Sequence, residues 1–241
     1  MRMLLSAFCL AFLLATPGAA QELRPKLDDL VRHYAKVLFG SEYNPKLAKK
    51  AVSKWQGTVG ITINGKPTQQ LAAMTSKHLN TIAGLTKLKF KQIKPGTPMQ
   101  RIDLIFMKRK HMTNINGLPG PFMSNIRQMA ADPSMRCFFL SQSNAENRIN
   151  YALVMVNIDM DPAHLNACLL EELSQVMGLP NDVDAYWPTI FQPIDTSTEL
   201  SVWDRLYLKT LYDPRTKPGM KPVDAVFTAK GIFAEAMAKI P

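Results

Sequence analysis

Apolar residues recur at helical spacing through Leu27, Leu30, Val31, Tyr34 and Leu38, which predicts an amphipathic helix that Gly40 stops. His33 falls beside that stripe and is expected at the surface. After an Asn44-Pro45 turn the pattern changes to alternation over 55–63, with Val59, Ile61 and Ile63 set against Thr58, Gly60 and Thr62. That is the pattern of a half-buried strand, closed here by Asn64-Gly65. Helical spacing returns at Leu71, Met74, His78, Ile82 and Leu85, and His78 on this apolar stripe is expected as a hydrogen-bonded core residue. Leu88 and Phe90 then alternate with Lys87, Lys89 and Lys91, and Ile102, Leu104 and Phe106 follow a Pro95-Gly96 turn, predicting two further strands. The Gly/Pro-rich stretch 114–121 reads as a loop and a candidate rim over a cleft. A short helix at 122–129 and strands at 137–140 and 151–158 come next. The last strand is apolar on both faces, so both should be covered.

The chain then reaches its best-defined helix. Asp161 caps it, Pro162 suits the first helical position, and Gly178 with Pro180 stops it. At about 100° per residue, Leu165, Leu169, Leu173 and Val176 share one apolar face, and Glu172 falls inside that face. A carboxylate there needs a partner or a proton; it is either a catalytic group or a tether for a neighbouring loop. Glu171 and Gln175 lie four apart on an adjacent face, the relation that lets two side chains share one metal. Strands and helices in this order predict an α+β fold: a mixed twisted sheet with packed helices, organised around the motif helix.

The 46% hydrophobic and 20% charged composition of 241 residues fits one domain with a sizeable core. Arg2, the apolar run 4–15 and Pro17-Gly-Ala-Ala20 read as an export signal cut after Ala20, with an uncleaved membrane anchor as the alternative. The expected organisation is a signal at 1–20 and one domain over 21–241, with a core at about 55–220 and helical extensions at both ends. Cys9 lacks the small residue just before it that a lipoprotein site wants. Cutting the signal removes one Arg and no acid, which leaves a mature charge one unit below the +10 of the whole chain. In an oxidising compartment, periplasmic or extracellular, the remaining pair Cys137 and Cys168 predicts a disulfide. So basic a surface favours anionic lipid or cell-wall polymer through the lysine-rich faces. Export disfavours nucleic acid.

Candidate chemistry centres on Cys168-Leu-Leu-Glu171-Glu172-Leu-Ser-Gln175-Val-Met-Gly178-Leu-Pro-Asn181-Asp182. Laid over the pattern H-E-x-x-H-x-x-G-x-x-H-D, it keeps the spacing, the Glu, the Gly and the final Asp. Glu171, Gln175 and Asn181 stand where three His would bind zinc, and Glu172 stands at the general-base position. Amide oxygens are hard, weak donors unsuited to zinc, so neither metal nor cofactor is expected. His164 cannot repair the site, because seven residues put it about 10 Å along the axis from Glu171. A two-carboxylate glycosidase would need Asp182 or Asp184 as its second acid.

These residues resemble a degenerate version of the metzincin zinc peptidases. Pro188-Thr-Ile-Phe191 occupies the place of that family's Met-turn, and Ser201 to Asp204 opens a capping box for a helix like its closing one. More closely, C-x-x-E-E-L-x-Q-x-x-G-L-x-N-D with L-Y-D-P-R-x-K-P-G-M after it resembles a family of exported proteobacterial proteins and candidate lipoproteins of unassigned function. That match covers about 55–220. The resemblance implies a metzincin-like frame but carries over no activity. Two functions follow as expectations. One is a zinc-free binding module whose cleft, through Glu171, Gln175, Asn181 and Asp182, holds a peptide, a cell-wall fragment or a protein partner. The other is a hydrolase in which Glu172 activates water with an unusual metal or none.

Overall fold

A computed structural model describes residues 24–41, 46, 48–114, 120–132, 135–193 and 197–240, with the side chains of 120–125 excepted. The leader, the 44–45 turn and most of the 114–121 loop lie outside the described residues. In chain order the elements are α1 (Leu27–Phe39), β1 (Thr58–Asn64), α2 (Gln69–Thr86), β2 (Lys89–Gln92), β3 (Arg101–Met107), a 3-10 turn (Arg109–Asn114), α3 (Gly120–Ala131), β4 (Cys137–Ser143), β5 (Ile149–Asn157), α4 (Pro162–Gln175), α5 (Val202–Tyr212) and α6 (Pro222–Met237).

The five strands form one sheet in the order β2-β1-β3-β5-β4. All neighbours are parallel except β4, which runs antiparallel to β5. The fold is therefore α+β with a mixed sheet, as the pattern predicts. β5 is enclosed on both faces. Ala152, Val154 and Val156 point into the main core shared with the helices, while Leu153 and Met155 pack with Met112, Ile126 and Phe138 under α3 and the 3-10 turn.

β1 departs from the half-buried expectation. It lies between β2 and β3, and both Val59 and Thr62 are buried. Thr62 tolerates this because its hydroxyl donates to Asp103 Oδ1 at 2.6 Å. The strand starts at Thr58 rather than Trp55, since Gly57 at φ +72° interrupts the extended chain. Lys87 is not part of a lysine ladder either. It ends α2 in the left-handed conformation, leaving Lys89 and Lys91 on the exposed edge strand β2. The terminal helices are less peripheral than the extensions expected at the two ends, because Leu30 and Tyr34 of α1 and Phe233 of α6 enter the main core.

Candidate functional site

The motif helix α4 is held at both ends and on its flank. Asp161 Oδ1 accepts from the N–H groups of Ala163 and His164, and Pro162 follows at the first helical position. A disulfide from Cys137 to Cys168, with Cα atoms 6.1 Å apart, pins the helix to β4. From α2, His78 Nε2 lies 2.7 Å from Asn166 Oδ1, so the core histidine is hydrogen-bonded to α4. Burial lowers the His78 pKa, and because an amide oxygen only accepts, Nε2 is the donor in this bond.

The stop is equally well fastened. The N–H groups of Gly178 and Leu179 both turn back to Gln175 O, at 2.9 and 3.0 Å. Trp55 Nε1 donates to Val176 O and the Tyr212 hydroxyl donates to Met177 O, each at 2.9 Å, so carbonyls left over at the helix end are satisfied. Gly178 adopts φ +121°, and a Cβ there would lie 2.2 Å from Ser53 O. Only glycine lets the chain pass so close.

The residues singled out by the motif diverge from this point. Glu172 is 4% exposed and Gln175 is fully buried, whereas Glu171, Asn181 and Asp182 are half-buried. Gln175 Nε2 donates to Asp182 Oδ1 at 2.7 Å, and Asn181 Nδ2 donates to Lys36 O at 3.1 Å. The second bond ties the segment after the motif helix to the end of α1. It also explains Gly40: its backbone needs no special conformation, but a Cβ would sit 2.4 Å from Asn181 Nδ2. Among the described residues, no group of three or more His, Cys, Asp or Glu is arranged to hold a metal ion.

His33 is buried rather than on the surface. The segment after Asp182 folds across α1, so His33 Nε2 lies 2.8 Å from Val183 O, and Nδ1 lies 3.0 Å from the Tyr207 hydroxyl. Its ring is tilted against Trp187 at 5.1 Å and stacked on Tyr207 at 5.7 Å. Burial, partly opposed by the bond to Val183, lowers its pKa. The Phe191 position of the Met-turn resemblance is also core, packed on Tyr207, and Phe191 O accepts from Val183 N at 2.9 Å. Asp204 completes the capping box by accepting from Ser201 N at 2.9 Å, and it also accepts from Thr189 Oγ1 at 2.6 Å. Burial pushes its carboxyl up to about 6.

Lys54, which in sequence belongs to a basic cluster, is 7% exposed. Its Nζ donates to Leu211 O and Thr216 O at 2.8 and 2.6 Å, across the C-terminal end of α5. Burial pushes its pKa down to about 8. It is a cap, not part of a surface patch.

Among the described residues, a groove along α1 is open to solvent near the motif. One stretch of about 670 Å³ has Val31, Ala35, Phe39 and Val226 on its walls and reaches Gly40 and Asn181. Another, of about 370 Å³, runs past His33 to Tyr186 and Trp187. Arg32, Lys36 and Val183 line both. Arg32 and Lys36 are exposed, but Arg32 is paired with Asp29, and Asp28, Asp29 and Asp184 also line the trough, so charges of both signs stand along its apolar floor. Sequence reading missed this groove, although Arg32 and Lys36 lie four apart on the face of α1 opposite its apolar stripe.

No curated protein matches the chain. A family model does, over residues 28–228, which runs from α1 through α5 and into the first half of α6. The chain belongs to the family described as protein of unknown function, DUF2927.

Proposed function

We propose that this is an exported, zinc-free binding module on a metzincin-like frame, and that the groove along α1 holds a carboxylate-bearing peptide or a peptide-bearing cell-wall fragment. One observation carries the reading: at the positions where a zinc peptidase places two of its His ligands, Gln175 and Asn181 spend their amides on Asp182 and on the backbone of α1. Side chains committed to internal bonds serve the fold, and replacing them would leave buried polar groups without partners. Glu172 is buried and does not line the groove, which counts against its activating a water molecule there. The motif thus keeps its shape as a structural knot, and the groove beside it supplies the recognition surface. Lys36, beside an Arg32 already paired with Asp29, would meet a carboxylate while Val31, Ala35 and Phe39 take apolar side chains.

Export follows from the leader-like residues 1–20 and places the protein in the periplasm or outside the cell. Capture on purified peptidoglycan sacculi tests the reading. Wild-type protein should bind in a salt-sensitive way, and Arg32→Glu with Lys36→Glu should reduce capture at least fivefold at unchanged melting temperature. Capture unaffected by both charge reversals would remove the groove from the account.

A further inference from the structure

Helix α6 presents an apolar row to solvent. Val223 and Phe227 are 80% and 82% exposed, and Gly231, Ala234 and Ala238 continue along the same side at helical spacing, also exposed. The opposite side carries Ala225, Ala229, Ile232 and Phe233 into the core, Asp224, Thr228 and Glu235 form a polar strip between the two, and Lys230 stands beside the outer row. Two large apolar side chains so exposed on one helix face are a candidate docking surface.

Three observations say what docks there. First, the row is small. Phe227 and Val223 together offer about 300 Å² at most, against about 800 Å² on each side of a standard protein interface. Second, cations outnumber acids near it. Lys217 and Lys221 are exposed before the helix and Lys239 after it, against the exposed Asp224 on the helix, while Glu235 is paired with Arg215 at 2.7 Å and Asp28 with Lys230 at 2.8 Å. Third, the described chain enters at Arg24, whose Nη2 donates to Met237 O at 2.7 Å, at the C-terminal end of α6. Any part of the apolar leader kept after export therefore joins the domain beside this helix.

We infer that the outward face of α6 docks on an anionic lipid surface, with Val223 and Phe227 entering the headgroup layer. Insertion of a few apolar side chains together with lysines near anionic headgroups gives reversible, salt-sensitive attachment without a membrane-spanning helix. Val226 of the same helix lines the α1 groove, but Val223 and Phe227 do not, so the inference stands or falls without it.

The test uses the full chain as exported, carrying Phe227→Trp as a fluorescent reporter. Trp55, Trp187 and Trp203 are buried, so they provide a constant background. Vesicles of phosphatidylethanolamine and phosphatidylglycerol with brominated acyl chains should quench Phe227→Trp at least twofold more than wild type. Val223→Ser with Phe227→Ser should lower vesicle co-sedimentation at least fivefold at unchanged melting temperature. Three results overturn the inference. One is vesicle binding equal in the double variant, which assigns attachment to the leader alone. Another is a reporter indole already blue-shifted and shielded from acrylamide before lipid is added, which makes the chain's own leader the occupant. The last is a concentration-dependent dimer that the double variant abolishes, which makes it a second copy.

Discussion

Replacing Gly178 by alanine probes the stop of the motif helix, where the fold is most tightly determined. Two effects add. At φ +121° any side chain is strained, by about 1 to 3 kcal/mol. The new Cβ would also lie 2.2 Å from Ser53 O and 3.2 Å from Leu211 Cδ2. The first contact is with backbone, so relief requires moving the chain at Ser53 or the helix end itself. Neither is free to move: Val52 is bonded to Met220 O and Gly219 N, and Trp55 is bonded to Val176 O. Overpacking of this kind adds about 1 to 3 kcal/mol, for a total of about 4 kcal/mol. For a chain of this size that lowers the melting temperature by about 8 to 16 °C. Gly57→Ala is the control, because Gly57 also has positive φ, +72°, but nothing lies within 4 Å of its added Cβ. It should lose only the conformational part, about 1 to 2 kcal/mol. Urea unfolding of both variants with the disulfide intact gives the difference, expected at about 2 kcal/mol or more. Equal losses would refute the packing argument at the helix stop.

Other consequences follow from the same geometry. Replacing Cys137 and Cys168 by alanine opens a loop of 31 residues, and chain-entropy reasoning gives a loss of about 4 kcal/mol in urea unfolding; no loss would mean the bond does not constrain the unfolded chain. Lys54→Met strips the donor from Leu211 O and Thr216 O and should cost about 2 to 4 kcal/mol, read from the same unfolding curves; a neutral result would remove its capping role. His33 has a lowered pKa in the folded protein, so the unfolded chain takes up its proton first as pH falls below 6.5, and stability present above 6.5 is lost on acidification. Asp204, raised to about 6, acts in the opposite sense, since its stabilising protonation sets in as pH falls through 6 towards 3.8. Comparing wild type with His33→Gln between about pH 7.5 and 5.5 isolates the histidine, and the variant should show the shallower fall. Glu172→Gln should leave sacculus capture per folded molecule unchanged, because Glu172 is buried and does not line the groove; lost capture at an unchanged melting temperature would return it to the site.

Much of the fold was legible because its signals are local. Asp161-Pro162 and Gly178-Leu-Pro180 mark the ends of α4 by rules that act within one turn, and the stripe through Leu30, Tyr34 and Leu38 marks α1 within two. The disulfide was legible by count. Strand order was not, because parallel pairs such as β1 with β3 join segments about 40 residues apart, and periodicity carries no information on which strand lies next to which. Without that order β1 looked half-buried. His33 was misplaced for a related reason, and the burial of Lys54 was illegible for the same one. Both carry polar atoms whose partners, Val183 O for one and Leu211 O with Thr216 O for the other, come from 150 or more residues away. The motif residues show a further limit. Spacing aligned Gln175 and Asn181 with metal-ligand positions, but only their hydrogen bonds reveal that the amides are committed to the fold.

The central proposal is that Gln175 and Asn181 serve the fold and that the motif holds no zinc. The most direct measurement is elemental analysis of protein equilibrated with excess zinc and then dialysed without chelator. With amides at 175 and 181 committed to Asp182 and Lys36 O, the account predicts far less than one zinc per chain. One tightly held zinc per chain would contradict it and restore the peptidase reading.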